Sequence, residues 1–137
     1  MRGGGGSTFG VATSVTVKAH PNPPKGTTSS RFSFTSEAIG NETFWAGIRA
    51  YMDYLIPNAD NGTYAYFTII PNIDTGVFTF NMSPFFAPNK TMQETKSLLE
   101  PWLTRLGDLG IHIDPNLIHH DTFYDAWRGA FPLEVVV

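Results

Sequence analysis

The sequence of 137 residues contains no cysteine, and charged residues make up only 15% of it. Without cysteine there is no disulfide framework, no thiol nucleophile and no thiolate metal site. No run approaches the ~20 consecutive apolar residues that a membrane-spanning helix needs, so we expect no membrane partner. The formal net charge of −3 argues against nucleic acid as a partner, because an electrostatic nucleic-acid binder is basic.

Hydrophobic residues make up 42% of the chain and aromatic residues 14%, which excludes a disordered chain and fits one domain with a real core. The start is glycine-rich, and residues 133–137 form an apolar, β-branched run typical of a strand that needs partners. We therefore expect a piece of a longer protein. As alternatives, the last run docks on the chain's own sheet, or the terminal strands pair in a homodimer.

The sequence contains more N-glycosylation sequons than chance predicts. Asn-x-Ser/Thr occurs at Asn41, Asn61, Asn81 and Asn89. Such a sequon is the acceptor for glycans on secreted proteins. The excess favours a secreted, glycosylated parent, although asparagine-rich turns and threonine-rich strands also generate sequons by accident.

The pattern of apolar residues predicts the order of the elements. Residues 9–17 alternate, with Val11, Val15 and Val17 on one face, which predicts a strand. Three prolines and a glycine in residues 20–26 then preclude a regular element and indicate a linker. Six elements follow: a strand at 31–35, a helix from Asn41, strands at 64–70 and 77–82, a helix from Thr91 and a strand at 111–113. This β-α-β-β-α-β order predicts an α+β fold of the split-βαβ or ferredoxin-like type, an antiparallel-rich sheet with two helices on one face.

Local signals define the ends of these elements. Pro57 is expected to end the first helix, and residues 72–76 turn the chain so that the two following strands pair as a hairpin. Thr91 and Glu94 have the spacing of a capping box at the start of the second helix. Pro101 lies inside that helix and deletes one backbone hydrogen bond, so we expect a kink there.

The residues with catalytic or metal-binding chemistry form no recognisable site. Ser7 has no identifiable base, and no pair of carboxylates is placed for acid–base work, so catalytic residues stay unknown. Because His119, His120 and Asp121 are adjacent, at most two of them point toward one ion. We interpret them as a polar loop and expect no metal.

Aromatic pairs share a face on each of three predicted strands: Phe32 with Phe34, Tyr64 with Tyr66, and Phe78 with Phe80. One face of the sheet must pack on the helices, and most of these rings are expected there. The other face is either exposed to solvent or the wall of an apolar pocket. An aromatic second face would be a binding surface.

Three segments, in matching order, carry a family resemblance. They are residues 2–21, beginning Arg-Gly-Gly-Gly-Gly-Ser-Thr-Phe-Gly-Val, residues 83–91, Ser-Pro-Phe-Phe-Ala-Pro-Asn-Lys-Thr, and residues 123–128, Phe-Tyr-Asp-Ala-Trp-Arg. They resemble segments of the berberine-bridge-enzyme-like flavoproteins, FAD-linked oxidases of the vanillyl-alcohol-oxidase (VAO) superfamily, and specifically its fungal members. The glycine-rich segment is the most specific of the three.

The resemblance implies an FAD-dependent oxidoreductase that passes hydride from an alcohol, amine or carbohydrate to the flavin. Residues 1–23 would be the C-terminal tail of the FAD-binding domain, and residues 24–137 part of the substrate-binding domain. The substrate pocket wall would include Tyr66, Phe78 and Phe80. The FAD-side residues, acting mainly through their backbone, would be Gly3, Gly4, Gly5, Gly6, Ser7, Phe9, Gly10 and Val11.

The family's main FAD-binding lobe and its closing C-terminal segment have no counterpart in this sequence, so we expect the 137 residues to be inactive alone. The alternative is a free-standing, non-enzymatic ferredoxin-like module that binds a small apolar ligand or a protein on its aromatic sheet face. The strand predicted at residues 9–17 discriminates between them. If it pairs with the chain's own sheet, the module is favoured, and if it projects away, a missing lobe is implied.

Overall fold

A computed structural model describes residues 13–131. In this range the predicted β-α-β-β-α-β order is confirmed, and a third helix follows it. The elements are β1 (Thr27–Thr35), α1 (Ser36–Asp60), β2 (Tyr64–Pro71), β3 (Phe78–Pro88), α2 (Met92–Asp108), β4 (Asn116–His120) and α3 (Phe123–Ala130). No helix of the described part is both long and apolar enough to cross a membrane.

The strands pair as one antiparallel sheet in the order β2-β3-β1-β4. The two central strands, β1 and β3, are therefore paired on both sides, and β2 and β4 form the edges of the described sheet. Aromatic contacts place α1 and α2 together on one face, as predicted, and α3 on the opposite face. The sheet thus has helices on both sides, but in unequal number.

The hydrophobic core lies between the sheet and the pair α1 and α2. Phe80 of β3 is fully buried there, and its ring centroid lies 5.0 Å from that of Phe34 and 6.1 Å from that of Trp102. Gly47 lets α1 approach the end of α2, because a Cβ at this position would lie 2.8 Å from Cδ1 of Ile111. The two helices and the sheet face therefore seal this side against water.

The first helix is longer than the sequence predicts. The helical segment begins at Ser36, but Gly40, at φ 78° and ψ 159°, is non-helical and kinks it, so the regular helix starts directly after Gly40, at Asn41 as predicted. The helix also continues through Pro57, whose carbonyl accepts a hydrogen bond from the Asn61 N–H at 3.2 Å. A proline lacks the backbone donor but keeps its carbonyl, so the final turn still closes over it.

The second helix starts as predicted and ends in a different way. The Thr91 capping box is formed, and the helix runs through Pro101 without interruption. Residues 111–113 are not a strand, because the Ile111 N–H bonds to the Leu106 carbonyl at 2.8 Å across Gly110, which has φ 81°. This is the geometry of a Schellman motif, in which the residue after the glycine packs back on the helix. The last strand of the described range is β4 instead.

The N-terminal strand predicted at residues 9–17 is wrong for the part that the structure describes. Residues 13–17 have no regular secondary structure, and Val15 and Val17 are exposed. Pairing with the sheet begins at Thr27. Residues 9–12 and the apolar run at 133–137 lie outside the described residues.

Candidate functional site

The sheet separates its aromatic residues by face. Along β2, Phe67 points toward α1, with its ring centroid 5.2 Å from that of Tyr51. Side chains alternate along a strand, so Tyr64 and Tyr66 point to the other face. They remain 55% and 48% exposed, whereas Phe80 on the helix side is fully buried. The second face is therefore an aromatic surface that the fold leaves partly open.

A β-bulge in β3 adds a third aromatic ring to this open face. Across both neighbouring strands, Met82 and Phe85 of β3 oppose residues that are only two apart, so β3 carries one extra residue between them. Pro84 lies within this bulge, where a central strand tolerates a residue without an N–H donor. The extra residue turns Phe85 into the core and Phe86 to the opposite face, where Phe86 is only 1% exposed.

The third helix completes the site. Thr122 caps α3, accepting the Asp125 N–H at 3.1 Å, and the Arg31 guanidinium donates to the Gly129 carbonyl at 2.5 Å near the other end of the helix. Such a short helix depends on tertiary contacts for its stability. The cap and the arginine contact together fix α3 across the open face.

An apolar groove of about 520 Å³ lies between α3 and the sheet. Its volume falls in the range of small-molecule pockets. The Tyr64 and Phe86 rings lie 6.4 Å apart, and the Phe123 ring lies 5.5 Å from Phe86. The residues between 13 and 131 that form its wall are all aromatic: Tyr64, Tyr66, Phe86, Phe123, Trp127 and Phe131.

Within the described part of the chain, no charged side chain lines the groove. Its polar groups are the two tyrosine hydroxyls, which donate or accept hydrogen bonds, and the Trp127 indole N–H, which only donates. Flat aromatic walls with a few polar tips bind ring compounds by stacking and orient them by hydrogen bonds. The arrangement can therefore hold a ligand, and among the described wall residues the groups able to exchange a proton are the Tyr64 and Tyr66 hydroxyls.

The three predicted pocket residues do not lie on one face of the sheet. Tyr66 lines the groove, but Phe80 is in the core, and Phe78 packs on Phe44 with 5.9 Å between ring centroids. The assignment of Tyr66, Phe78 and Phe80 to the substrate wall stays a prediction. Tyr64 lies opposite Phe86 in the sheet, and Phe86 lies beyond residue 82, where the sequence predicts the end of this strand.

The histidine pair is not in a loop, because it ends β4. His119 and His120 point to opposite faces: Nδ1 of His119 lies 3.0 Å from the Thr28 hydroxyl, and Nε2 of His120 lies 3.2 Å from the Ser29 hydroxyl. Within residues 13–131 no cluster of three metal-ligating side chains is found. These histidines join the edge strand to β1.

Every predicted FAD-side residue lies outside the described residues: Gly3, Gly4, Gly5, Gly6, Ser7, Phe9, Gly10 and Val11. No FAD site is shown in residues 13–131, which contain no run of consecutive glycines. Sequence reasoning also missed the α3 wall of the groove. One signal for α3 was present, since Thr122 and Asp125 have the spacing of a helix start.

The fold is similar to part of two solved VAO-type flavoproteins. The structure is similar to VAO-type flavoprotein MtVAO615 of Myceliophthora thermophila C1, with a TM-score of 0.65 and 21% identity over 76% of this chain and 18% of that one. It is also similar to MtVAO713 of the same organism, with a TM-score of 0.66 and 19% identity over 85% of this chain and 22% of that one. At such identities the likeness concerns the fold alone.

Sequence similarity extends the likeness to fungal FAD-linked oxidoreductases. The chain is 37% identical to FAD-linked oxidoreductase ZEB1 of Gibberella zeae over 93% of its own length and 21% of that protein. It is 30% identical to the VAO-type flavoprotein oxidase VAO615 of Thermothelomyces thermophilus, over 81% of its own length and 18% of that protein. No protein-family model matches the chain. The chain is thus homologous to fungal FAD-linked oxidoreductases of the VAO type, which confirms the resemblance, and it spans about a fifth of these relatives.

Proposed function

We propose that the chain is part of an FAD-dependent oxidoreductase that oxidises an alcohol, amine or carbohydrate, and that the 137 residues are inactive alone. The observation that carries this proposal is the 37% identity to a FAD-linked oxidoreductase over nearly the whole chain but only a fifth of that relative. When bound, FAD accepts the hydride, and the protein positions and encloses the substrate. An aromatic groove fits the enclosing role.

The proposed division places residues 1–23 in the FAD-binding domain and residues 24–137 in the substrate-binding domain. Residues 13–22 are exposed and pair with no strand of the described sheet, which supports a boundary before β1. The glycine-rich segment, from Gly3 to Val11, would then lie against FAD through its backbone. Tyr66 would form part of the substrate wall. We further infer from the sequons that the complete protein is secreted.

Sequencing the transcript upstream of Met1 and downstream of Val137 tests the proposal first. We expect the reading frame to continue into a flavin-binding lobe. Stop codons close to both ends would contradict the proposal. In a second test, FAD is titrated into the 137-residue chain. We expect no saturable binding and no alcohol oxidation, and micromolar FAD binding with turnover would overturn the inactivity of the isolated chain.

Substrate kinetics of the complete protein test the role of the groove. We expect Tyr66→Ala to raise KM about tenfold while the flavin spectrum stays unchanged, since one lost aromatic contact costs about 1.4 kcal/mol. The matched control is Ile70→Ala, because Ile70 is also half-exposed and lies on the same face of β2 but outside the groove. Equal kinetics in both variants would exclude the groove from substrate binding.

A second candidate function is a free-standing binding module, and the groove is the observation that favours it. The isolated chain would then bind a flat, neutral probe such as 2-naphthol. Binding would quench the Trp127 fluorescence in a saturable way and would be lost in Tyr66→Ala. Saturable binding together with stop codons close to both ends would favour the module over the oxidoreductase. If gel filtration then gives twice the mass of the chain, the module is a homodimer.

A further inference from the structure

The four sequons differ in how the fold holds them. Asn81 lies in β3, paired with Thr68 on one side and Ser33 on the other, so its backbone is fixed in the ladder from both edges. Asn81 is partly buried, and the next residue, Met82, is fully buried. A glycan is bulky and needs a surface position. This sequon is the least suited to carry one.

Asn89 is exposed, but its segment is held by other parts of the chain. Its N–H donates to the Gly26 carbonyl at 2.8 Å, and its side-chain oxygen accepts the Lys25 N–H at 3.2 Å. The next carbonyl, of Lys90, accepts the Thr28 hydroxyl at 2.9 Å. Asn41 is exposed within α1, where the helix fixes the backbone of the sequon.

Asn61 lies at the end of α1, where the chain reverses toward β2. Asn61 and Gly62 are both exposed, and a Cβ at Gly62 would meet no atom within 4 Å. The Asn61 side-chain nitrogen donates one hydrogen bond, to the Pro57 carbonyl at 2.8 Å. An amide nitrogen has two N–H groups. The second is therefore available for a sugar while the first keeps its bond.

We propose that Asn61 accepts an N-linked glycan when the chain enters the secretory pathway, and that Asn81 does not. The bond from the Thr63 hydroxyl to the Asn58 carbonyl, at 2.7 Å, holds the same turn and presents Asn61 outward. The position has a physical consequence. Asn61 directly precedes β2, an edge of the described sheet, so a glycan there hinders pairing of that edge with another chain.

Peptide mapping tests this proposal independently of any flavin. The chain is fused to a cleavable secretory leader, expressed in yeast and treated with an endoglycosidase that leaves one sugar on each occupied asparagine. Chymotrypsin cleaves at Tyr64 and Phe80, so Asn61 and Asn81 fall in different peptides. We expect the sugar on the Asn61 peptide and none on the Asn81 peptide.

Electrophoretic mobility gives a second readout. Asn61→Gln should lose the shift of one glycan, and the matched control Asn81→Gln should lose none. Thr63→Ser keeps the sequon and should keep the glycan. An unmodified Asn61 peptide in protein whose leader has been removed would overturn the proposal, as would a sugar on Asn81 in the secreted, protease-resistant fraction.

Discussion

The two faces of the sheet carry similar residues that differ in solvent exposure. The face under α1 and α2 and the face under α3 are both rich in aromatic rings, but Phe80 is fully buried on the first, and Tyr66 is 48% exposed on the second. Two long helices exclude water from one face, whereas a single short helix covers only part of the other. Aromatic composition alone therefore does not distinguish a core from a binding surface, and the amount of covering helix does.

The largest expected difference between the two faces is in the free energy of unfolding that a substitution costs. Phe80→Ala should lower the free energy of unfolding by about 3–5 kcal/mol, because it leaves a cavity in a sealed core. Tyr66→Ala should cost about 1 kcal/mol or less, because the ring is already half in water. Urea denaturation of both variants measures the difference. Similar losses would mean that the open face is as tightly packed as the core.

Removing a helix cap should affect the two faces differently. Thr122→Ala deletes the cap of α3 and should cost about 1 kcal/mol, mostly as local loosening of that helix. Thr91→Ala in α2 should cost a similar amount but weaken the whole domain, because α2 packs on the core. Hydrogen exchange of α3 amides distinguishes the two outcomes. Faster exchange throughout the sheet in Thr122→Ala would contradict the expectation that this substitution loosens only α3.

High pH should destabilise the sealed face. Burial raises the pKa of Tyr51 from 10.0 to about 12. Since the folded pKa is the higher one, the stabilisation is complete below pH 10 and is lost as the pH rises toward 12. We expect the wild-type Tm to fall more steeply than that of Tyr51→Phe between about pH 10 and about pH 12. Parallel curves would mean that the phenol has access to water.

The smallest effect is expected at low pH, on the surface. Hydrogen bonds from the Lys25 side chain and the Thr91 backbone lower the pKa of Glu94 from 4.5 to about 2. This stabilisation is present above pH 4.5 and is lost as the pH falls toward 2. The Tm advantage of wild type over Glu94→Gln should therefore shrink across that interval. An advantage that is independent of pH would contradict an ionic origin.

Local signals in the sequence predicted much of the fold. The Thr91 capping box and the hairpin at residues 72–76 depend on neighbouring residues only, and both are present. The errors have two different causes. The apolar residues 111–113 resemble a strand, but the Ile111 N–H closes α2 through a local bond to the Leu106 carbonyl. The polar start of β1 depends on long-range pairing, since its backbone is paired on both sides.

The site was less predictable than the fold. Tyr66 lies on the second face and Phe78 and Phe80 on the first, an assignment that the sequence pattern leaves open. The alternation of side chains along a strand defines two faces, but it does not determine which of them the helices cover. The contribution of Phe86 was hidden for another reason, since the bulge before it changes which residues point outward.

The bulge at Pro84 divides β3 into two parts in which side chains of opposite parity face the core. Before it, even-numbered residues such as Phe80 and Met82 face the core, and after it the odd-numbered Phe85 and Ala87 do. Deleting Ser83 or Pro84 would remove the bulge, because Met82 and Phe85 would then alternate regularly, and Phe85 would stay in the core and Phe86 on the opposite face. The same sequence paired without a bulge would instead exchange the two rings, so the groove depends on this strand absorbing its extra residue.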